Sequence, residues 1–227
     1  MKLVPKIKKE FVSVVINQNK ISVAWIKKQK DTYSLEQYDY LENPPLNANL
    51  TILNPNCLQK FLCDFLKKNS LSNSFISFAL DGQCCKHKII ASDTNIPEKK
   101  HISKAIEKWY LVDHYLIAQD SSEHHNIFYV TGIVPAVLFQ YLNLSIYLKL
   151  NTIALTTKPM ALACTIQNLQ IQEETPYYET FEQWITIMNN QLEKQKPKIS
   201  YNNNKTLDNI NTHLGLFMLG RNIYEAN

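Results

Sequence analysis

Residues 11–28, FVSVVINQNKISVAWIKK, constrain the fold more than any other stretch. Two apolar, β-rich runs flank the polar turn Asn17-Gln18-Asn19, which reads as an antiparallel hairpin. Many enzymes open on such a hairpin and use its turn to grip a phosphate. YSLEQYDYL, residues 33–41, alternates as a third strand, and a loop rich in Asn and Pro follows. Leu58, Phe61, Leu62, Phe65 and Leu66 then recur at helical spacing, which predicts an amphipathic helix with Asn56 as its cap. SFISFAL, residues 74–80, is an apolar strand.

A three-strand meander, a helix and a returning strand begin a ribonuclease-H-like or actin-like α/β domain, expected over residues 10–83. From residue 84 the pattern changes to strand, helix, strand, strand, helix, a compact α+β unit inserted over 84–150. Its first helix, with Pro97 in the opening turn, would turn Ile102, Ala105, Ile106 and Trp109 inward. Its second would bury Val137, Leu138, Tyr141, Leu144 and Leu148. Residues 151–170, a strand and a short apolar helix, return to the first lobe. Residues 171–205 hold one helix, about 179–194 with Phe181, Trp184, Ile185 and Met188 inward, and read as a reduced second lobe or linker. An apolar helix within 206–227 completes the first lobe.

Composition narrows the function. The 227 residues are 45% hydrophobic and 19% charged, ordinary for a folded soluble chain. No apolar run approaches the ~20 residues of a membrane span, and the basic start lacks a signal peptide's apolar core. A cytoplasmic location is expected. The net charge of +4 is spread in separate Lys pairs, so no nucleic-acid interface is expected. The five cysteines, Cys57, Cys63, Cys84, Cys85 and Cys164, match no zinc spacing and read as free thiols. Adjacent Cys84 and Cys85 would point to opposite faces of a strand. No metal and no cofactor is expected.

Five stretches together resemble the PilM family, the actin-like cytoplasmic proteins of type IV pilus and competence machinery, and its short reduced members such as HofM. They are the hairpin, FISFALDGQCCKHKIIAS, IPEKKHISKAIEKWYLVDHYLIAQ, IFYVTGIVPAVLFQYLNLSIYLKLNTIALTTKPMALACTI, and the terminal THLGLFMLGRN with its Gly215-Leu216 pair. The resemblance covers about residues 10–168 and 210–222. It implies an actin-like lobe with an inserted subdomain and a second lobe largely missing.

That family binds ATP between two lobes, and its first phosphate hairpin carries an Asp, a Gly and a Lys. Aligned by its strands, this chain has Val15, Asn17 and Ser22 at those places. Val cannot hold a metal's water shell, and Asn adds a Cβ where backbone amides must approach phosphate. The chain has four glycines, Gly82, Gly132, Gly215 and Gly220, with none in the hairpin and none between residues 133 and 214. A second phosphate hairpin and an adenosine-binding turn would fall in that interval, so no ATP binding is expected. The six histidines suggest no catalytic constellation: His124-His125 lies in a polar turn, and Asp113-His114 reads as a surface pair. Asp81 reads as a turn-former rather than a base, Glu173-Glu174 has no partner in sequence, and no serine-centred elbow occurs.

By resemblance, the first lobe and its inserted unit form a groove for the N-terminal cytoplasmic tail of PilN, a single-span inner-membrane protein. The groove is expected at the joint of the two units, at Leu80, Asp81, Gly82, Lys88, Tyr110, Tyr115 and Ile117. The chain would then be a scaffold, not an enzyme, reaching the membrane only peripherally through that partner. Two alternatives stand beside this reading. One is a degenerate actin-like ATPase. The other is the cytoplasmic domain of a type II secretion protein, disfavoured because such proteins continue into a membrane span.

Overall fold

A computed structural model describes residues 10–29, 32–71, 74–95, 97, 99–106, 110–120, 125–169, 180–194, 199–200 and 209–226. The N-terminal basic segment, Trp109, the Glu123-His124 stretch and Glu173-Glu174 lie outside them. Strands β1 (Phe11–Asn17), β2 (Lys20–Gln29) and β3 (Thr32–Glu42) form an antiparallel meander. Helix α1 (Pro55–Lys68) then carries the chain to β4 (Phe75–Asp81), parallel to β1. Strand β5 (Cys85–Ser92), helix α2 (Lys99–Ala105), and strands β6 (Leu111–Asp120) and β7 (His125–Ile133) make up the inserted unit. Helix α3 (Pro135–Tyr147), strand β8 (Asn151–Thr157) and helix α4 (Lys158–Asn168) follow. Helix α5 (Phe181–Lys194), the short β9 (Ile199–Ser200) and helix α6 (Ile210–Ala226) complete the order.

The large mixed sheet runs β8-β4-β1-β2-β3-β9, with β8 parallel to β4, and the small antiparallel sheet runs β5-β7-β6. Alternation assigns the two faces of the large sheet. Val12, Val14, Ile16, Ile76, Phe78 and Leu80 pack against Leu58, Leu62 and Phe65 of α1 and Val137, Tyr141 and Leu144 of α3. On the other face Val15 and Ala79 meet Ala161 of α4 and Leu216 of α6. Helices on both faces explain why β1 is apolar almost throughout. The sheet face decides α3's allegiance: its buried stripe belongs to the large sheet's core, although the sequence places it with the inserted unit.

Three local expectations are corrected. Asn54, not Asn56, caps α1, its Oδ1 accepting from the backbone N–H groups of Asn56 and Cys57. Pro55 lacks an N–H and has φ preset, so it takes the first helical position and shifts the cap before it. Cys84 lies in the turn before β5, so strand alternation does not separate it from Cys85. Both thiols are buried in the main core with sulfurs 3.7 Å apart. Helix α2 is shorter than predicted, with Ile106 buried against Phe128 and Val130 of the small sheet. Helix α5 buries Trp184, Met188 and Leu192 on α4 and on Tyr129 of the small sheet. No helix among the described residues is long and apolar enough to cross a membrane.

Candidate functional site

Ligands in open α/β sheets gather outside the carboxyl ends of parallel strands. Here those ends are Asn17 on β1, Asp81 on β4 and Thr157 on β8, with Asn17 opposite Asp81 and Leu80 opposite Thr157. The chain's own side chains fill this crevice. Lys158 Nζ donates to Asp81 Oδ2 at 3.0 Å. Thr157 is fully buried, its Oγ1 lying 3.1 Å from the Tyr129 hydroxyl, which lies 2.7 Å from His87 Nδ1. Phe181 of α5 stacks on His87 with ring centroids 4.7 Å apart, and Trp184 packs on Tyr129. Burial holds the His87 imidazolium down at about 4 and pushes the Tyr129 phenol up, so both are neutral near pH 7.

The first hairpin is closed in the same way. Asn17 Oδ1 accepts from the backbone N–H groups of Asn19 and Lys20 at 2.9 and 2.8 Å, which takes up turn amides that a phosphate would need. Val15 is buried beneath α4 and α6. Ser22 faces a buried histidine: its Oγ lies 2.9 Å from His213 Nε2, and Ser13 Oγ lies 2.9 Å from Nδ1 of the same ring. A Ser–His–Ser set suggests nucleophilic chemistry, yet all three side chains are inaccessible and burial drives the imidazolium down to about 3. Its work is structural, tying α6 to β1 and β2. Sequence reasoning missed this tie, although two serines on the inner faces of apolar strands signal a polar partner.

Of the seven residues expected to bind a partner, the five with described side chains lie in different settings. Leu80 is fully buried core, and Asp81 is held by Lys158. Gly82 packs against Leu50, where a Cβ would come within 2.7 Å of Leu50 Cγ. Tyr110 is buried beside Ile106 and Gly132. Lys88 is exposed on β5, the far edge of the small sheet from β6. Tyr115 and Ile117 lie on β6, Tyr115 opposite Tyr129 and Ile117 at a bulge.

What the sequence did not locate is a groove of about 460 Å³ between two sheet edges. One wall is β8, the end strand of the large sheet, and the other is β6, the end strand of the small one. Met160 and Cys164 of α4 and Leu219 of α6 form its apolar floor, with Asp113, His114 and Asn222 at its rim. Main-chain edges beside an apolar floor and polar rim are the elements that hold an extended peptide by strand addition.

The architecture is the mixed α/β, actin-like lobe with an inserted small sheet that the sequence led us to expect. Among solved structures the chain is similar to the PilM-PilN type IV pilus biogenesis complex, with a TM-score of 0.56 and 14% identity over 74% of this chain and 52% of that one. This chain thus spans about half that chain's length. It is also similar to the cytoplasmic domain of EpsL, an inner membrane component of the type II secretion system of Vibrio cholerae, with a TM-score of 0.46 and 7% identity over 96% of this chain and 95% of that one. A third is a Bacteroides thetaiotaomicron protein with an actin-like ATPase fold, with a TM-score of 0.38 and 8% identity over 72% of this chain and 57% of that one. No family model matches the sequence, and no curated protein matches it.

Proposed function

We propose that this chain is a cytoplasmic adaptor of a type IV pilus or DNA-uptake assembly, binding the N-terminal tail of a PilN-like single-span inner-membrane protein without hydrolysing nucleotide. The observation that carries the reading is the β6–β8 groove, in a fold like that of the PilM-PilN complex. The tail enters as an extended segment, pairs with a free strand edge, and sets apolar anchors over Met160 and Leu219. Asp113 at the rim attracts the basic residues such tails carry near the bilayer. Of the residues proposed from sequence, Tyr115 and Ile117 lie on β6, the strand whose Asp113 and His114 line the groove, while Leu80 and Tyr110 are buried. Membrane contact is peripheral and made through the partner.

The test is fluorescence anisotropy with a synthetic peptide copying the N-terminal tail of a PilN-like single-span protein. Saturable binding is expected. Asp113→Lys and Ile223→Glu, both at the groove, should each weaken it about tenfold or more. Binding that ignores both substitutions would remove the groove from the reading.

Nucleotide is tested separately by equilibrium dialysis with labelled ATP and magnesium. No binding is expected at micromolar ATP, because turn amides of the hairpin are taken up by Asn17 and the strand ends by Lys158 and Tyr129. Clear micromolar binding would replace the adaptor with a degenerate ATPase.

A further inference from the structure

Helix α3 is apolar on the side that faces water as well as on the side that faces the core. Val137, Tyr141 and Leu144 are buried in the large sheet's core. Yet Phe139 is 55% exposed, Ile146 73% and Tyr147 70%, and Leu53 from the preceding loop is 66% exposed. None of the helix's 13 residues is charged. A helix that is apolar all round is normally covered all round, and a lone surface helix carries charge on its wet face. The exposed positions also have an order. Ala136, Phe139, Asn143 and Ile146 follow one another at intervals of three, four and three residues, the spacing of a seam that packs on another helix.

We infer that α3 is a self-association surface, packing antiparallel on α3 of a second copy about a two-fold axis at Asn143. Three features select a second copy as the occupant. First, two exposed aromatic rings flank Asn143 evenly, Phe139 four residues before it and Tyr147 four after. An antiparallel copy therefore sets each Phe139 ring against the second copy's Tyr147. Second, Asn143 is exposed, and its amide has no hydrogen-bond partner among the described residues. At the axis it meets its own copy, and an amide has both the donor and the acceptor for a reciprocal pair. A single Asn in an apolar seam is a known way to fix register.

Third, the neighbouring surface is uncharged and concave. A cavity of about 340 Å³ lies beside the seam, walled by Ile52, Pro55, Gln59 and Tyr147 with no ionisable carboxylate or amine among its lining residues. Two copies of a protein with net charge +4 repel one another over most of their surface. They do so least where the patch itself carries no charge. Knob and hollow lie side by side, as a two-fold interface requires.

The surface lies on the α1 side of the large sheet, away from the α4–α6 face that floors the groove, so the two proposals stand or fall independently. A dimer built this way leaves both grooves open. Two tethered tails would then be held with the gain that bivalency provides.

Sedimentation of the full chain across about 1 to 200 µM tests the inference, because an interface of one helix pair is small and its Kd is expected in the range of about 10–100 µM. The mass should rise from 26.4 kDa toward twice that value. Ile146→Glu and Asn143→Lys each place charge at the axis and should raise the Kd at least about tenfold, with unchanged circular dichroism. Should either variant unfold, Asn143→Cys supplies the second readout: mild oxidation should join two chains through residue 143 itself. A chain that stays monomeric throughout overturns the inference, as does a dimer indifferent to these positions. Flotation with phosphatidylcholine–phosphatidylglycerol vesicles, lost in Ile146→Glu and without any dimer, would overturn it in favour of a lipid surface.

Discussion

Replacing Gly215 by alanine is expected to cost roughly 3 kcal/mol or more of stability and to lower Tm by on the order of 10 °C. In an isolated helix the change would stabilise by about 1 kcal/mol, since alanine is the better helix former. The expected sign is reversed by the crossing of α6 over α4. A Cβ on Gly215 would lie 1.7 Å from the carbonyl oxygen of Ala161 and 2.6 Å from Thr165 Oγ1. Backbone cannot swing aside as a side-chain end can, so the helices must part. Parting stretches the 2.7 Å hydrogen bond from Thr165 Oγ1 to the Asn211 carbonyl and loosens Leu216 from Val15, Ala79 and Ala161. Gly220 is the internal control. Its added Cβ meets Ser77 Oγ at 2.8 Å and Ile153 Cγ2 at 3.1 Å, both side-chain atoms, so Gly220→Ala should cost much less. Equal urea midpoints for parent and Gly215→Ala would show that the helices do not touch here.

That contrast illustrates which parts of the structure local pattern could reach. The hairpin of β1 and β2 and the buried faces of α1 and α3 follow from periodicity, and Leu58, Leu62, Val137 and Tyr141 are inside as expected. Periodicity tells that a helix has an inner stripe; it does not tell which core the stripe enters. That is why α3 reads as part of the insertion yet packs on the large sheet. The Asn54 cap was open to reading, since a Pro one residue inside a helix start marks the position before it. The groove was not open to reading at all. Its walls, β6 and β8, are separated by all of β7 and α3, and nothing in either strand encodes the distance between two sheet edges. The partner residues suggested by resemblance sit near the joint because the chain does cross there. Proximity in sequence to that crossing put Leu80 and Tyr110 in the set, and in the structure both are buried.

Mild acid should destabilise the protein well before its carboxylates titrate. His213 has an imidazolium pKa of about 3 in the folded state, against an ordinary value of 6.5, because burial disfavours the charged ring. His87 is lowered to about 4, also mainly by burial. Folded pKa values below the unfolded ones mean that the unfolded chain binds more protons between them. The stabilisation is therefore complete above about pH 6.5 and is lost as pH falls toward the folded values. Each group contributes a slope of about 1.4 kcal/mol per pH unit in that window. Between about pH 6.5 and 5, where ordinary carboxylates with pKa near 4 remain ionised, two histidines together should remove on the order of 3–4 kcal/mol. That is a large part of a typical domain's stability of about 5–15 kcal/mol. Urea midpoints measured across this window read the slope directly. His213→Asn keeps one donor and one acceptor for Ser13 and Ser22 but cannot titrate. It should be less stable than the parent at pH 7, by about 1–2 kcal/mol for the imperfect fit, and yet fall about half as steeply with acid. A parent whose stability is flat from pH 7 to 5, or a variant with the parent's slope, would mean that His213 reaches solvent in the folded protein and does not tie α6 to the hairpin.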